Sequence, residues 1–251
     1  MENDLPIDHP RYESLKHRHL IVDGMKKNIV ANAGMIAHGR GETFDYLLGE
    51  KTHEFSINAC KAAAAYLYLA KNPIFSINGN VTMLSGKDIV QLCREKKIPI
   101  EINIFYRSKK RIEAIKSHLT NFNPFVLFGY DENHLVEIEN LKSDRRIVDK
   151  RGIAVADVVF VPLEDGDRAE ILKENGKTII TVDLNPLSRT AKMSDVTIID
   201  NIVRVVPLIS KYISEMNDRI ATEIIREYNN NEIIQKALNE ISKGFLNKFS
   251  H

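Results

Sequence analysis

Net charge is almost absent from this sequence, because 35 lysines and arginines are matched by 34 aspartates and glutamates, which leaves +1 at pH 7. General binders of nucleic acids and of anionic membranes take their affinity from excess cationic charge. The balance therefore argues against both classes, and we expect neither a nucleic-acid nor a membrane partner. Individual arginines are expected to act locally, at particular sites.

Long apolar runs and a cysteine framework are missing too. No hydrophobic run approaches the ~18 residues of a membrane span, and no signal-peptide pattern opens the chain. The two cysteines, Cys60 and Cys93, have neither CxxC spacing nor the spacing of metal ligands. We expect buried free thiols in a reducing compartment, and hence a cytoplasmic location.

The common signatures of nucleotide enzymes and hydrolases are absent as well. The chain has no GxxxxGK[ST] loop, no GxSxG elbow and no cluster of histidine and cysteine metal ligands. The turn after the first predicted strand, Ser76–Asn80, lacks the GxGxxG spacing of a dinucleotide fingerprint. The chemistry therefore has to be sought in segments without a standard signature.

From about residue 73 onward, short apolar runs alternate with helical patterns. Several runs are apolar at every position, as in strands that helices cover on both faces. This alternation of strands and helices predicts an α/β fold with a doubly wound, mainly parallel, Rossmann-like sheet. We expect Ser85 to cap the first helix of this region, with Asp88 three residues on. The predicted strands are 73–77, 99–104, 124–128, 157–161, 178–182 and 196–199, and the predicted helices are 88–97, 108–119 and 167–174.

Helical segments flank this core. Residues 9–28 and 54–71 have helical patterns, and apolar residues between 209 and 245 step by three and four. The latter predict two C-terminal helices in an antiparallel hairpin, whose apolar seam covers the sheet or meets a second copy. The polar stretch 129–156 is a loop or lid over a site, or a solvated helix. We expect one domain over residues 1–251, with a helical N-terminal region over residues 1–72, a sheet core over 73–201 and C-terminal helices over 202–251.

Five polar segments containing glycine, arginine or asparagine stand at strand ends or between helices. They are 38–42, 76–80, 103–107, 162–168 and 183–190. Because the carboxyl ends of parallel strands lie on one edge of a sheet, topology alone should bring four of them together.

Two of these segments are suited to phosphate. Asp183–Thr190 follows a buried strand and supplies an arginine fork, two hydroxyls and free amides, and Lys192 either adds charge or is a surface lysine. In His38–Glu42 two glycines would let the backbone approach a phosphate, with Arg40 as a bidentate partner. A glycine turn with a surface arginine is the alternative.

The remaining segments offer amides, carboxylates and one more arginine. Asn78 and Asn80 suit the hydroxyls and carbonyls of a polar substrate, or form an ordinary Asn-Gly turn. Asn103 and Arg107 bracket two aromatic residues, and Arg107 clamps an anion or belongs to a basic surface helix. Glu164, Asp165 and Asp167 could hold Mg²⁺, bind an ammonium or accept its proton, while either aspartate could instead cap a helix. Asp200 and Asn201 could bind a ribose or base edge, and a helix cap is the alternative for Asp200.

As an ordered set, these segments resemble the archaeal 4-phosphopantoate–β-alanine ligases, also called archaeal phosphopantothenate synthetases. The resemblance runs from residue 9 to about 210, with modest individual motifs. It is carried by His9–Tyr12, Ala37–Glu42, Ser76–Asn80, Asn103–Arg107, Val161–Arg168, Asp183–Thr190 and Asp200–Arg204.

The resemblance implies a homodimeric enzyme of coenzyme A biosynthesis that joins 4-phosphopantoate to β-alanine and converts ATP to AMP and diphosphate. Among the implied ATP contacts, Arg18 is the one that the residues alone do not indicate, since it looks like an exposed helix arginine. The implied contacts are Arg18, Arg40, Asp183, Leu184, Asn185, Arg189, Thr190, Asp200 and Asn201.

Our hypothesis divides the roles between two groups of residues. Arg40 and Arg189 would bind the triphosphate, with Mg²⁺ expected as well, and Asp165 or Asp167 would bind the ammonium of β-alanine. The phosphopantoate contacts would be Asn78, Asn80, Asn103 and Arg107. A nucleotide-binding sensor, or a Rossmann-like nucleotide enzyme of unrelated chemistry, remains the alternative.

Overall fold

The structure is a computed structural model that describes residues 7–9, 11–138, 144–164 and 166–247, with side chains described as far as residue 244. In chain order the elements are α1 (Tyr12–Lys26), α2 (Asn32–Leu47), α3 (Glu54–Leu69), β1 (Pro73–Ile77), α4 (Gly79–Lys96), β2 (Ile100–Ile102), α5 (Lys109–Thr120), β3 (Leu127–Phe128), β4 (Leu135–Glu137), β5 (Ile147–Asp149), β6 (Val158–Phe160), α6 (Gly166–Glu174), β7 (Thr178–Val182), α7 (Arg189–Met193), β8 (Val196–Ile198), α8 (Ile202–Glu215), α9 (Asp218–Glu227) and α10 (Asn230–Asn247).

Six strands form one parallel sheet in the order β3-β2-β1-β6-β7-β8. The chain moves outward from β1 to β3 and then returns to β6, which pairs with the other side of β1. In register, Phe75 of β1 lies opposite Ile100 of β2 and Phe160 of β6. The predicted doubly wound Rossmann-like fold is confirmed. Its crevice for ligands lies where the strand order reverses, between β1 and β6.

Successive strand residues enter two separate cores. Ile74 and Val159 face the smaller core, together with the apolar residues of α6. Phe75 and Phe160 face the larger core, which also contains residues of α3, α4 and α8, and their rings lie 4.4 Å apart. Because helices or loops cover both faces, these strands are apolar at every position except the buried Ser76 and do not alternate with polar residues.

Helix α4 begins earlier than the sequence predicts. Asn78 caps it, since the side-chain oxygen of Asn78 accepts a hydrogen bond from the amide of Val81 at 3.2 Å. Ser85 is therefore a buried residue inside the helix, and its predicted role as the cap is wrong. The glycine and β-branched residues that open α4 have low helix propensity, which burial overrides here.

The C-terminal region contains three helices where a two-helix hairpin was predicted. Helix α8 ends at Glu215, and Asn217 caps α9 by accepting from the amide of Ile220 at 3.0 Å. Helices α8 and α9 pack on α3, while α10 packs on α3 and β8. The apolar spacing continues across the break because residues on both sides of it, such as Ile213 and Ile224, face the same large core.

The excursion between β3 and β6 is not a solvated helix where the structure describes it. It contains an antiparallel pair, β4 and β5, and a 3₁₀ turn at Asp144–Arg146. Val148 and Ile153 from this excursion enter the smaller core and help to cover one face of the sheet. Among the residues that the structure describes, no helix is long and apolar enough to cross a bilayer.

Candidate functional site

A cavity of about 1130 Å³ opens at the carboxyl edge of the sheet, above the point where the strand order reverses. All five polar segments that the sequence singles out contribute to its wall. Pockets for one small ligand commonly measure roughly 300–1,000 Å³. The cavity therefore has room for two ligands side by side. One end lies near β7 and β8, and the other near β1 and β2.

The loop after β7 is held in shape by Asp183. Its carboxylate accepts hydrogen bonds from the amide of Asn185 at 2.9 Å and from the hydroxyl of Ser188 at 2.5 Å. Burial raises the pKa of Asp183, while these hydrogen bonds and the nearby Arg40 oppose that rise. The turn places Leu184 and Asn185 in the cavity wall. Leu184 and Asn185, two of the predicted ATP contacts, thus face the cavity because Asp183, a third predicted contact, holds the loop in shape.

Thr190 and Arg189 tie this loop to the segment after β6. The hydroxyl of Thr190 donates to the carbonyl of Glu164 at 2.7 Å. Arg189 forms ion pairs with Asp167 and Glu170 of α6, and 56% of its side chain is exposed. Such exposed pairs contribute about 0–1 kcal/mol, so an incoming phosphate can replace them.

The carboxylates after β6 fall into separate surroundings. Asp167 lines the cavity and is exposed, whereas Glu164 is buried between Arg145 and Arg168. Arg168 also donates to the hydroxyl of Ser76 at 3.1 Å. A buried charge is stable only when it is paired, which explains this cluster of two arginines and one glutamate. The predicted site residue Asp165 lies outside the described residues.

The segment His38–Glu42 lies inside α2, so the glycine turn, which was the alternative to a phosphate contact, is not formed. Its amides belong to the helix, where they are not available to cradle a phosphate. Arg40 nevertheless lines the cavity with an exposed side chain, and it forms no ion pair with any described carboxylate. Gly41 faces the β7 loop, and a Cβ there would make an ordinary van der Waals contact with Leu184 at 3.6 Å.

His38 is a wall residue to which the sequence assigned no role of its own. Burial lowers its pKa, so the imidazole is largely neutral at pH 7. Its Nε2 atom is buried and has no hydrogen-bond partner among the described residues. A neutral ring with an open nitrogen can accept a proton or a hydrogen bond from a ligand.

Asn78 and Asn80 line the cavity, but both also hold the structure together. Asn78 caps α4 and donates to the carbonyl of Leu163 at 3.0 Å, while Asn80 donates to the carbonyl of Gly34 at 2.7 Å. A Cβ at position 34 would lie 2.4 Å from Asn80, so α2 and α4 can approach this closely only at a glycine.

Asn103 and Arg107 are not in the cavity wall. The amide of Asn103 donates to the carbonyl of Ile147 at 2.9 Å, and Arg107 donates to the carbonyl of Gly129 at 2.8 Å. Both fasten the excursion before β6 to the sheet. Arg111 and Arg145 do line the cavity, and the sequence did not indicate either of them because each lies in a strongly charged run.

The end of β8 supplies one wall residue and one anchor. Asn201 lines the cavity and donates to Asp45 of α2 at 2.9 Å. Asp200 is buried outside the wall, where it accepts from Thr52 at 2.6 Å and from Nε of Arg204 at 2.7 Å. Its position in this structure is that of a structural anchor.

Arg18 lies outside the main cavity. It donates to Glu42 at 3.2 Å and lines a shallow depression of about 420 Å³ between α1 and α2. Glu42 also lines the main cavity, so a single residue separates Arg18 from it.

Comparison with known proteins identifies the family to which the chain belongs. A sequence model described as phosphopantothenate/pantothenate synthetase matches residues 55–244, which include most of the cavity wall. The chain belongs to the phosphopantothenate/pantothenate synthetase family. The matched residues contain the whole parallel sheet and four of the five polar segments.

Three similar synthetase relatives are each named 4-phosphopantoate–β-alanine ligase. The protein of Thermococcus onnurineus is 48% identical over 93% of this chain and 90% of its own length. That of Thermococcus kodakarensis is 45% identical over 94% and 91%, and that of Methanosarcina mazei is 42% identical over 96% and 95%. The similarity therefore extends over nearly the full length of each relative.

Proposed function

We propose that this chain is an ATP-dependent ligase that condenses 4-phosphopantoate with β-alanine to give phosphopantothenate, AMP and diphosphate, in coenzyme A biosynthesis. The observation that carries the proposal is a single cavity with room for two ligands and with arginines at both ends. The names of the relatives support the two acids as substrates. A ligase of this kind has to bind two phosphate-bearing molecules next to each other.

In the first proposed step, a carboxylate oxygen of 4-phosphopantoate attacks the α-phosphorus of ATP. The bond from that phosphorus to the bridging oxygen breaks, diphosphate leaves, and an acyl-adenylate remains. Arg40 and Arg189 would bind the phosphates and stabilise the charge that develops on them. For this, Arg189 would exchange its ion pairs with Asp167 and Glu170 for the phosphate oxygens.

In the second proposed step, the amine of β-alanine attacks the acyl carbon, the bond to the adenylate oxygen breaks, and AMP leaves. The ammonium of β-alanine has to lose a proton before it can attack. When Arg189 turns to the phosphates, Asp167 becomes available to bind that ammonium. Holding three reactants in register would supply much of the rate gain.

Magnesium fits this site as an ion that arrives with ATP. The described residues contain no group of three or more histidine, cysteine, aspartate or glutamate side chains that could hold a metal ion. Magnesium is usually held by substrate phosphates and one or two carboxylates, a role open to Asp167 and Glu170. Bound there, it would neutralise phosphate charge.

A coupled assay tests the proposed function. Purified protein is mixed with ATP, 4-phosphopantoate and β-alanine, and diphosphate and AMP are measured with each component left out in turn. We expect diphosphate release to require all three. Orthophosphate and ADP as products would contradict the adenylate route. Tight ATP binding without turnover would favour the nucleotide sensor instead.

We also propose that the chain is a homodimer. Helix α2 presents several large apolar side chains to solvent, with Ile36 69%, Tyr46 58% and Leu47 41% exposed. A second copy would cover such a surface. Light scattering behind a size-exclusion column should give twice the 28.6 kDa of the chain, and a monomeric mass at micromolar concentration would contradict the proposal.

A further inference from the structure

The end of the cavity near β1 and β2 contains a cation that the mechanism above leaves without a role. Arg111 lies in the first turn of α5, which Ser108 caps. Its Nη1 donates to the carbonyl of Tyr106 at 2.7 Å, and its Nη2 donates to the carbonyl of Ile29 at 3.1 Å. These two contacts fix the guanidinium in the cavity wall.

Of the arginines in the cavity wall, only Arg40 and Arg111 form no ion pair with a described carboxylate. Arg145 and Arg168 share Glu164, and Arg189 pairs with two carboxylates of α6. Among the described residues, Arg111 forms no ion pair, and its buried Nε has no hydrogen-bond partner.

That missing counter-ion leaves Arg111 in an unfavourable environment. Burial lowers the pKa of Arg111, and no carboxylate of the described residues offsets this. A half-buried charge held only by neutral carbonyls is costly. An anionic ligand at this place would relieve the cost.

The amino end of α4 faces the same place. Gly79 is the first residue of this 18-residue helix, and a Cβ there would lie 3.3 Å from Nη2 of Arg111 and 2.1 Å from the carbonyl oxygen of Ile29. Only glycine allows this approach. Free amides and the helix dipole favour an anion at a helix amino end, so Arg111 and α4 reinforce each other.

We propose that Arg111, together with the amino end of α4, binds the phosphate of the acyl substrate and so sets the preference for a phosphorylated acid over the same acid without phosphate. This inference rests on the proposed function. The reacting carboxylate has to reach ATP near the β7 loop, and β7 is two strands from β1, about 10 Å away. The phosphate at the other end of 4-phosphopantoate is then left for Arg111.

Steady-state kinetics on Arg111→Ala and Arg111→Lys test this role, with Lys110→Ala as the matched control. Lys110 is the preceding residue of α5, is exposed, and is not in the cavity wall. We expect Arg111→Ala to raise the KM for 4-phosphopantoate at least tenfold and to leave the KM for ATP within twofold. The kcat/KM preference for 4-phosphopantoate over pantoate should fall by a similar factor. Arg111→Lys keeps the charge but not the forked guanidinium, so its KM for 4-phosphopantoate and its substrate preference should lie between those of the wild type and Arg111→Ala.

Two further results separate a wrong role from a wrong function. An active Arg111→Ala variant with an unchanged preference for 4-phosphopantoate over pantoate would overturn the role and leave the ligase proposal standing. A wild-type protein that releases no diphosphate from the three substrates would overturn both. Calorimetric titration of 4-phosphopantoate without ATP should show at least tenfold weaker binding to Arg111→Ala. If Arg111→Ala does not fold, the same titration of Arg111→Lys tests the proposed role of Arg111.

Discussion

Arg189 forms ion pairs with Asp167 and Glu170 of α6, and we propose that it exchanges them for ATP. Gly166 makes this arrangement possible, because a Cβ there would lie 2.4 Å from the Cβ of Arg189. The ion pairs therefore keep the side chain of Arg189 at the cavity, and replacing them with contacts to phosphate costs little free energy.

Replacing Arg189 with Ala should raise the KM for ATP at least tenfold, because a charge-assisted contact to phosphate is lost. Lys192→Ala is the matched control, since Lys192 lies in the same helix, is exposed, and is not in the wall. We expect it to change that KM less than twofold. Initial rates at varied ATP measure both, and unchanged ATP kinetics in Arg189→Ala would remove the assigned role.

Glu101 is a fully buried carboxyl group in β2. It accepts hydrogen bonds from the amides of Asp149 at 3.0 Å and Ile153 at 2.8 Å, and so fixes the excursion onto the sheet. Burial raises the pKa of Glu101 to about 7, against an ordinary value of 4.5. Because the folded pKa lies above the unfolded one, its contribution to stability is fully present below pH 4.5 and is lost as the pH rises through 7.

We expect the free energy of unfolding to fall between pH 5 and pH 8, with Glu101 contributing on the order of 3 kcal/mol to the change. Glu101→Gln does not titrate, so the decline should become shallower. The Glu101→Gln variant should also be less stable than the wild-type protein at pH 5, since the NH₂ group of glutamine replaces one of the two oxygens that accept backbone hydrogen bonds. Urea denaturation at several pH values measures this. Equal pH slopes in both proteins would contradict the assignment.

At the scale of elements, α2 is a section of the cavity wall whose attachment to the rest of the protein includes buried charges. Its one buried residue in the described structure is the charged Asp45, which pairs with Arg204 of α8. Arg204 also pairs with Asp200, and Asn201 donates to Asp45. The helix that places Arg40 over the β7 loop is thus held by these charges as well as by partly buried apolar side chains that pack against the larger core.

Arg204→Ala should destabilise the protein by about 2–3 kcal/mol, because it leaves the buried Asp45 and Asp200 without their cation. It should also raise the KM for ATP, since α2 and Asn201 both lose their support. Arg226→Ala is the matched control: its exposed pair with Glu227 should contribute less than about 0.5 kcal/mol. Denaturant titration and ATP kinetics check both effects. A stable variant with a normal KM for ATP would show that α2 is anchored in another way.

At the scale of the whole molecule, the cavity has two ends because the sheet is wound in two directions from its centre. Loops after β1 and β2 form one end, and loops after β7 and β8 form the other. Ligands at the two ends should therefore bind without excluding each other.

Thermal denaturation tests this arrangement with an ATP analogue that has a methylene group between the α- and β-phosphates. At 100 times its dissociation constant a ligand adds about 2.7 kcal/mol, which raises Tm by roughly 5–10 °C in a chain of this size. We expect 4-phosphopantoate to add a comparable increment and the two to sum. A combined shift no larger than either alone would mean that they compete for one site.

Much of the sheet and of the site followed from local pattern. The strands 73–77 and 178–182 were predicted with the bounds that they have, since both are short runs of mostly apolar residues in which only Ser76, Thr178 and Thr181 carry a hydroxyl. The break between α8 and α9 was not predicted, because the apolar spacing continues past Met216. The side chain of Asn217 nevertheless caps a new helix there. Likewise, two glycines suggested a turn at 38–42, yet packing on α1 and α4 keeps that segment helical.

The sequence by itself determined the α/β class, the order of the strands along the chain and the convergence of polar segments at one sheet edge. These follow from period, composition and the direction of parallel strands, which are local properties. Tertiary structure alone decided which polar groups face the cavity. Asn103, Arg107 and Asp200 became anchors while Arg111 and Arg145 reached the wall, because a side chain's partners depend on segments distant in sequence.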